Sequence, residues 1–350
     1  MKKNRRDQAS EQIKHYIRSH RMEPGELLAP VRALSDHFEV SRDAAWRALQ
    51  RLQEEGWISA RANRRYEISA DLYTRILSSL RVKGVFTGIS YIHFSGYRRL
   101  ADSLRRQCRY HNMEFRTTPL PMGEKPDESI WDDCDVLLVD SVSSRSILEH
   151  FPKFKVPVIG LDAEYSNRYH LNIVTDHHLG GRMVAERLIS DGSKRVHVVH
   201  FQDSESMPRI KARIDGFRQV WLESGRSEKD LHLKAIKFAQ NNFDLALNVR
   251  EELLNFDGKG DFFVTDGTLA ITHLEILDHL GYSVPDNLRL IGYDSAQTGE
   301  TTNPPMTTIQ QDMDTIACKA IERMGEYTGP HKGKTELIRI PPILVERISG

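Results

Sequence analysis

The sequence predicts an α/β protein in two parts: a small helical head closed by a β-ribbon, then a large region of doubly wound parallel sheet. Three observations carry that expectation. The first seventy residues hold three helical periodicities followed by two short strand-like runs. From Lys83 onward, apolar strand-like runs alternate with amphipathic helices. The 350 residues exceed a typical single domain, since domains run to about 100–200 residues.

Composition narrows the class. Hydrophobic residues make up 39% and charged residues 28%, which is globular rather than disordered. Cys108, Cys134 and Cys318 lie far apart with no CxxC pair, which argues against a disulfide scaffold and a Cys-rich zinc site and fits a reducing cytoplasm. The basic N-terminus MKKNRRDQASEQ is followed by no apolar stretch, so it does not read as a signal peptide. No run approaches the ~18 apolar residues that span a bilayer. Lys+Arg and Asp+Glu both number 49. That balance conceals a difference: residues 1–70 carry a net charge of +4 and the remainder −4. A basic head on an acidic body points to nucleic acid at one end.

The elements of the head follow in order. Ile13, Tyr16 and Ile17 share one face of a helix from about Asp7 to Ser19. Pro24-Gly25 breaks the chain. Pro30 suits the first turn of a second helix reaching Phe38, with Val31 and Leu34 apolar. After a tight turn at Glu39-Val40, Ser41 is a good N-cap for a third helix reaching Glu54. Ala45, Ala48, Leu49 and Leu52 form its buried face, while Asp43, Trp46, Arg47 and Gln50 lie opposite. Gly56 stops it. Strands near 57–60 and 65–68 then flank a turn rich in arginine. This is the element order of a winged helix, whose third helix is sized for the major groove.

The stretch from Gln12 to Ile68 resembles the GntR family of winged-helix regulators. Arg32 matches an arginine of the second helix, Ser41-Arg42 the opening of the recognition helix, and Ala48, Leu49, Leu52 and Gly56 the pattern after it. Trp46 stands where a second arginine is usual, and Asn63 stands at or near the usual wing-tip glycine. The resemblance implies double-stranded DNA as partner. It places Arg32, Ser41, Arg42, Asp43, Trp46 and Arg47 at the DNA, with Arg64 and Arg65 supporting from the wing. Arginine bonds guanine O6 and N7 with paired donors and also neutralises phosphates. Trp46 is equally able to touch DNA or to lie against the wing.

Residues 70–82 read as a helical or irregular linker between a 1–69 head and an 83–350 body. Candidate strands of the body are 84–89, 115–118, 136–140, 156–160, 195–200, 233–237, 262–265 and 288–293. Helices are expected at 96–110, 178–190, 209–224, 243–254 and 268–280. No dinucleotide or triphosphate glycine motif occurs.

The body resembles the effector domain of the LacI family, itself similar to periplasmic sugar-binding proteins. The pieces are VTDHHLGGRMVAERLISDGSKRVHVVH, RIKARIDGFRQVWLESG, FFVTDGTLAITHLEILDHLGYSVPDNLRLIGYDS and the terminal PPILVERISG. The resemblance implies two lobes clasping a small effector, with chain crossings placed near 193, 298 and 330. Lobe 1 would then take about 83–192 and 298–330, and lobe 2 about 193–297 and 331–350. Ligands of open α/β sheets bind at the carboxyl ends of strands. Asp176, Asp266 and Asp294 occupy such positions. Arg213 matches the family's effector-binding arginine, and Phe243 its aromatic position. Ser90, Tyr91 and His93, in the first strand–helix loop, are candidates for the other side. Carboxylates and a guanidinium suit vicinal sugar hydroxyls. Asp176 and Asp266 are equally well placed as plain helix N-caps, and Phe243 as core. His177-His178 lacks a third metal ligand at suitable spacing and reads as solvated or capping imidazoles. Cys318 reads as a buried apolar residue of an amphipathic helix.

Together these readings predict a cytoplasmic, homodimeric transcription repressor of the arabinose-type architecture. It would read a pseudo-palindromic operator under control of a sugar effector, with no cofactor, metal, membrane or catalytic role. Two alternatives stand beside it: a sugar- or purine-binding protein without regulated DNA binding, and a GntR-headed enzyme holding pyridoxal phosphate. No paired nucleophile–base motif favours the enzyme.

Overall fold

The computed structural model describes residues 5–20, 22–61, 65–72, 80–86, 95–121, 124–163, 166–204, 207–239, 241–294, 297–327 and 335–350. The fold is mixed α/β. The chain forms two compact units, the first made of Met1–Gly88, Leu100–Ile173 and Ala317–Ile338, the second of Ile89–Arg99, Val174–Ile316 and Arg339–Gly350.

The head, in the first unit, has helices α1 (Arg5–Ser19), α2 (Val31–His37) and α3 (Arg42–Glu54), then strands β1 (Ile58–Arg61) and β2 (Arg65–Ile68). The periodic apolar positions bury together: Ile13 and Ile17 of α1, Leu34 of α2, and Ala48, Leu49 and Leu52 of α3, closed by Trp57, Ile58 and Ile68. Ser41 caps α3, its side chain accepting from the Ala44 N–H at 3.2 Å. The ribbon is antiparallel, with Ile58 opposite Ile68 and Arg61 opposite Arg65. One strand-like addition was not anticipated. The chain after the Pro24-Gly25 break runs along β2, with the Leu28 N–H bonded to the Tyr66 carbonyl at 2.9 Å.

The first unit also contains a six-stranded sheet. Its strands are β3 (Arg81–Phe86), β4 (Glu114–Pro119), β5 (Val136–Asp140), β6 (Val158–Leu161), β7 (Leu171–Thr175) and β13 (Glu336–Ile340), in the order β13-β7-β6-β5-β3-β4. Helices α4 (Ser95–Tyr110), α5 (Ser141–His150) and α10 (Met313–Met324) accompany it. β3 pairs in parallel with both β4 and β5. β5 is buried throughout, as expected for a parallel strand covered on both faces.

The second unit holds the other sheet, ordered β14-β12-β11-β10-β8-β9, from β8 (Val196–Phe201), β9 (Leu231–Ile236), β10 (Asp261–Val264), β11 (Leu290–Tyr293), β12 (Thr307–Gln310) and β14 (Ile343–Val345). All its neighbours run parallel except β12 with β14. Helices α6 (His177–Ser190), α7 (Pro208–Glu223), α8 (Asn242–Leu253) and α9 (Gly267–His279) belong to it. Its core divides into a cluster around Trp221, Phe217 and Phe263 and another around Phe262, Leu274 and Leu277. The strand order reverses between β8 and β10, so the carboxyl ends of those strands flank a topological switch point.

Three expectations differ from these observations. The chain passes between units after Ile173, Ile316 and Ile338, with a short excursion at Ile89–Arg99, rather than near 193, 298 and 330. The reason is pairing and packing: β12 joins β11, β13 joins β7, and α6 packs on α7. The 70–82 linker ends early, because β3 begins at Arg81; residues 73–79 lie outside the described residues. Cys318 is half-buried rather than core, with its Sγ 3.3 Å from Glu322 Oε1.

Candidate functional site

Two sets of residues were expected to act, one in the head and one in the second unit. In the head, α3 presents an exposed face opposite its buried one. Arg32, Ser41, Arg42, Asp43, Trp46, Arg47 and Arg65 are all exposed. Trp46 is 51% exposed, so it is not absorbed into the core or the wing. Among the described residues Arg32, Arg42 and Arg65 make no ion pair. Arg47 donates to Asp43 at 2.5 Å, one helical turn earlier. That pair is exposed and worth only ~0.3–0.5 kcal/mol, so it is easily exchanged for a phosphate. Gln50 donates to the Tyr66 hydroxyl at 2.7 Å and so ties α3 to the ribbon. Glu67 of the ribbon pairs with Arg61. Arg64, like Asn63, lies outside the described residues.

In the second unit the geometry centres on Arg213. It sits on α7 and is only 2% exposed. Its Nη2 donates to Asp294 at 2.9 Å, just beyond β11. Its Nη1 donates to the Thr265 carbonyl at 2.6 Å, at the end of β10. Its Nε donates to His177 Nδ1 at 3.3 Å. The guanidinium lies over the Tyr293 ring, 3.5 Å from its centroid, an attractive placement of a cation on an aromatic face. A buried charge needs such company, because an unpaired one costs several kcal/mol. Asp294 takes a left-handed backbone conformation, φ 67°, which turns the chain sharply as the strand ends.

The helix packing that brings these groups together depends on two glycines. A Cβ at Gly181 of α6 would overlap the Arg213 carbonyl, and a Cβ at Gly216 of α7 would overlap the His178 carbonyl. With both absent, the backbones of α6 and α7 touch, and His177 at the start of α6 reaches Arg213.

Asp176 and Asp266 both cap helices. Asp176 accepts from the Leu179 N–H at 2.9 Å, and Asp266 accepts from Thr268 and Leu269 at 3.0 and 3.2 Å. Capping does not exclude a second role, since a carboxylate has further lone pairs. Burial raises the Asp266 carboxyl above the usual carboxylate range. The Asp294 carboxylate adds to that rise, while the Leu269 N–H, Arg213 and Arg209 oppose it. Asp266 and Asp294 therefore share one electrostatic neighbourhood with Arg213. Beside Asp294 a pocket of the second unit is lined by Gly96, Arg99, Gln297, Gln310, Gln311 and Met313. Arg99 is held by Asp314 at 2.7 and 2.9 Å.

Phe243 is not core: it is 72% exposed at the start of α8. Phe238, also exposed, stacks edge-on against Phe201 at the carboxyl end of β8, 5.5 Å between centroids. Ser90, Tyr91 and His93 lie outside the described residues. Sequence reading missed His177, Tyr293, Gln310 and Gln311. His177 is a correction: it is neither solvated nor a cap but buried, at 8% exposure, against Arg213 and Tyr293. The faint signal was the glycine pair Gly180-Gly181 in α6 and Gly216 in α7, which marks close helix contact. Among the described residues no cluster of His, Cys, Asp and Glu suits a metal, and no helix is long and apolar enough to cross a membrane.

Comparison with known proteins agrees with this division. Residues 5–68 match the gntR family of bacterial regulatory proteins, and residues 185–349 match the periplasmic binding protein-like domain. Among curated relatives, the HTH-type transcriptional repressor PurR of Actinobacillus pleuropneumoniae serotype 3 (strain JL03) is 26% identical over 197 residues, covering 53% of this chain and 54% of its own. The HTH-type transcriptional regulator DegA of Bacillus subtilis (strain 168) is 27% identical over 214 residues, covering 60% and 61%. The chain thus spans little more than half the length of these relatives. Among solved structures, a LacI family transcriptional regulator from Enterococcus faecium with bound ribose superposes with TM-score 0.63 at 21% identity, covering 77% of this chain and 98% of that one. The likeness shows the periplasmic-binding-protein-like fold.

Proposed function

We propose that this chain, with its gntR-type head and LacI-type body, is a sequence-specific transcription repressor whose operator affinity is set by a sugar. The observation that carries the reading is the buried Arg213 held by Asp294 at the carboxyl ends of β10 and β11, in the same chain as the exposed arginine face of α3. A preformed guanidinium–carboxylate pair presents donors and acceptors together, which is what adjacent hydroxyls require. Gln310 and Gln311 extend that polar lining, and Asp266 shares the electrostatic neighbourhood of Arg213 and Asp294. The ribose-bound regulator of the same fold supports a sugar as ligand.

On the DNA side, Arg42 and Trp46 read base edges, and Arg32, Arg47 and Arg65 hold phosphates. Two copies related by a two-fold axis would read a pseudo-palindromic operator in the cytoplasm. Effector binding selects one arrangement of the chain and changes operator affinity by its preference for that arrangement. The reading assigns no catalytic residue and no cofactor.

The test has two arms. Selection from a random duplex library should return a two-fold symmetric site bound by the wild-type protein. A thermal-shift screen against free pentoses, hexoses and disaccharides should return a ligand that raises the melting temperature and alters binding to that site. Enrichment of no sequence, together with no shift from any sugar, would remove both halves of the reading.

A further inference from the structure

His177 enters none of the roles above, yet its geometry assigns it one. Its imidazole is buried at the start of α6. Arg213 Nε and the Tyr293 hydroxyl both lie 3.3 Å from the same ring nitrogen, Nδ1. A guanidinium N–H only donates, so Nδ1 must be the accepting, unprotonated nitrogen, and the ring carries its proton on Nε2. A protonated imidazole has no acceptor. It would also set a second positive charge against Arg213 inside a buried site.

We propose that His177 is the positioning residue of Arg213: its neutral imidazole aims the guanidinium at Asp294 and Thr265, and its protonation withdraws that aim and weakens effector binding in acid. The inference rests on the pocket reading under Proposed function. Among the described residues, several elements bring charged or polar groups to this site. Asp176, the cap of α6, and His178 flank it in the chain, Arg213 comes from α7, Tyr293 ends β11 with Asp294 just beyond, and Thr265 and Asp266 join β10 to α9. Arg213 brings a full positive charge to Nδ1, and that charge opposes protonation. Thr265, Asp294 and the imidazole each take one nitrogen of the guanidinium, so the imidazole is the third point that fixes the plane of the fork.

Two measurements test the proposal. The first is a nitrogen-15 histidine spectrum of the full chain, with His177 assigned by loss of its signals in His177→Asn. At neutral pH His177 should show the Nε2–H tautomer, and Arg213→Lys should disturb that signal. An Nδ1–H tautomer overturns the proposal whatever the pocket binds.

The second uses the sugar returned by the thermal-shift screen, titrated from pH 8 to pH 5.5. Wild-type affinity should fall towards the acid end, by no more than about tenfold per pH unit, the limit for one linked proton. His177→Asn keeps an acceptor that does not titrate, so it should retain binding with a flat profile. His177→Leu should bind weakly at every pH. Asp266→Asn removes the neighbouring carboxyl that burial raises and should leave the acid loss in place in whatever affinity remains. Equal pH profiles for wild type and His177→Asn overturn the proposal. If the screen yields no sugar, the pocket reading has failed, and the tautomer alone decides whether His177 holds Arg213.

Discussion

Arg42 and Arg213 illustrate how a single side chain is judged by its surroundings. Arg42 is exposed at the start of α3 without an ion pair among the described residues, so its charge is available. Arg42→Ala should weaken operator binding by about 1–3 kcal/mol and relax the sequence preference at one position of each half-site; fluorescence anisotropy with wild-type and single-base-changed operators measures both. Arg213 is the opposite case, buried and held by three partners within the protein. Arg213→Lys keeps the charge but loses the fork, so effector response should vanish while operator binding persists. A retained thermal shift with the sugar would place the ligand elsewhere. Both arginines stand out in the sequence, because each falls in a stretch that resembles a known family's pattern. His177 was not, since nothing local distinguishes a buried acceptor from a capping imidazole. His273 on α9 was equally silent. Burial pushes its imidazole down to about 4, whereas an unfolded chain protonates near the ordinary value of about 6.5. The unfolded state therefore binds more protons between those values, and stability should fall as pH drops from about 6.5 to about 4. The full effect is on the order of 3 kcal/mol, and urea denaturation at stepped pH reads it, with His273→Gln as the variant that flattens the curve.

Among elements, the helices were the most legible. α3 declared itself through Ser41, its apolar face and Gly56, and α6 to α9 through periodicity near the bounds expected. Very short strands were not. β12 reads TTIQ and β14 reads ILV, too brief to separate from loop without knowledge of their neighbours. Their pairing with β11 and with each other moved the crossings between units away from the expected places. The contact of α6 with α7 also carries a prediction. Gly181→Ala or Gly216→Ala adds a methyl where the facing backbone leaves no room. Either should cost about 1–3 kcal/mol, and should impair effector response more than DNA binding, because the displaced groups are His177 and Arg213. Thermal melts and operator binding with and without the sugar check both points. A smaller effect belongs to the wing. Tyr66→Phe removes the acceptor of Gln50 and should destabilise the head by about 0.5–1.5 kcal/mol, read by chemical denaturation.

For the whole molecule, the charge balance has a functional reading. A head at +4 and a body at −4 add to zero, so attraction to DNA by bulk charge is weak. The sequence by itself determined the class: a winged helix ahead of strand–helix alternation, with an arginine-bearing face on the third helix and Arg213 and Asp294 as separate polar candidates. Those features are written in local periodicity, caps and motifs, which depend on residues a few positions apart. Only the tertiary structure decided which strands pair, where the chain changes unit, that Phe243 stands exposed, and that His177 accepts from Arg213. These depend on contacts between residues such as His177, Arg213 and Tyr293, brought together by a glycine-lined helix crossing whose closeness no local pattern encodes.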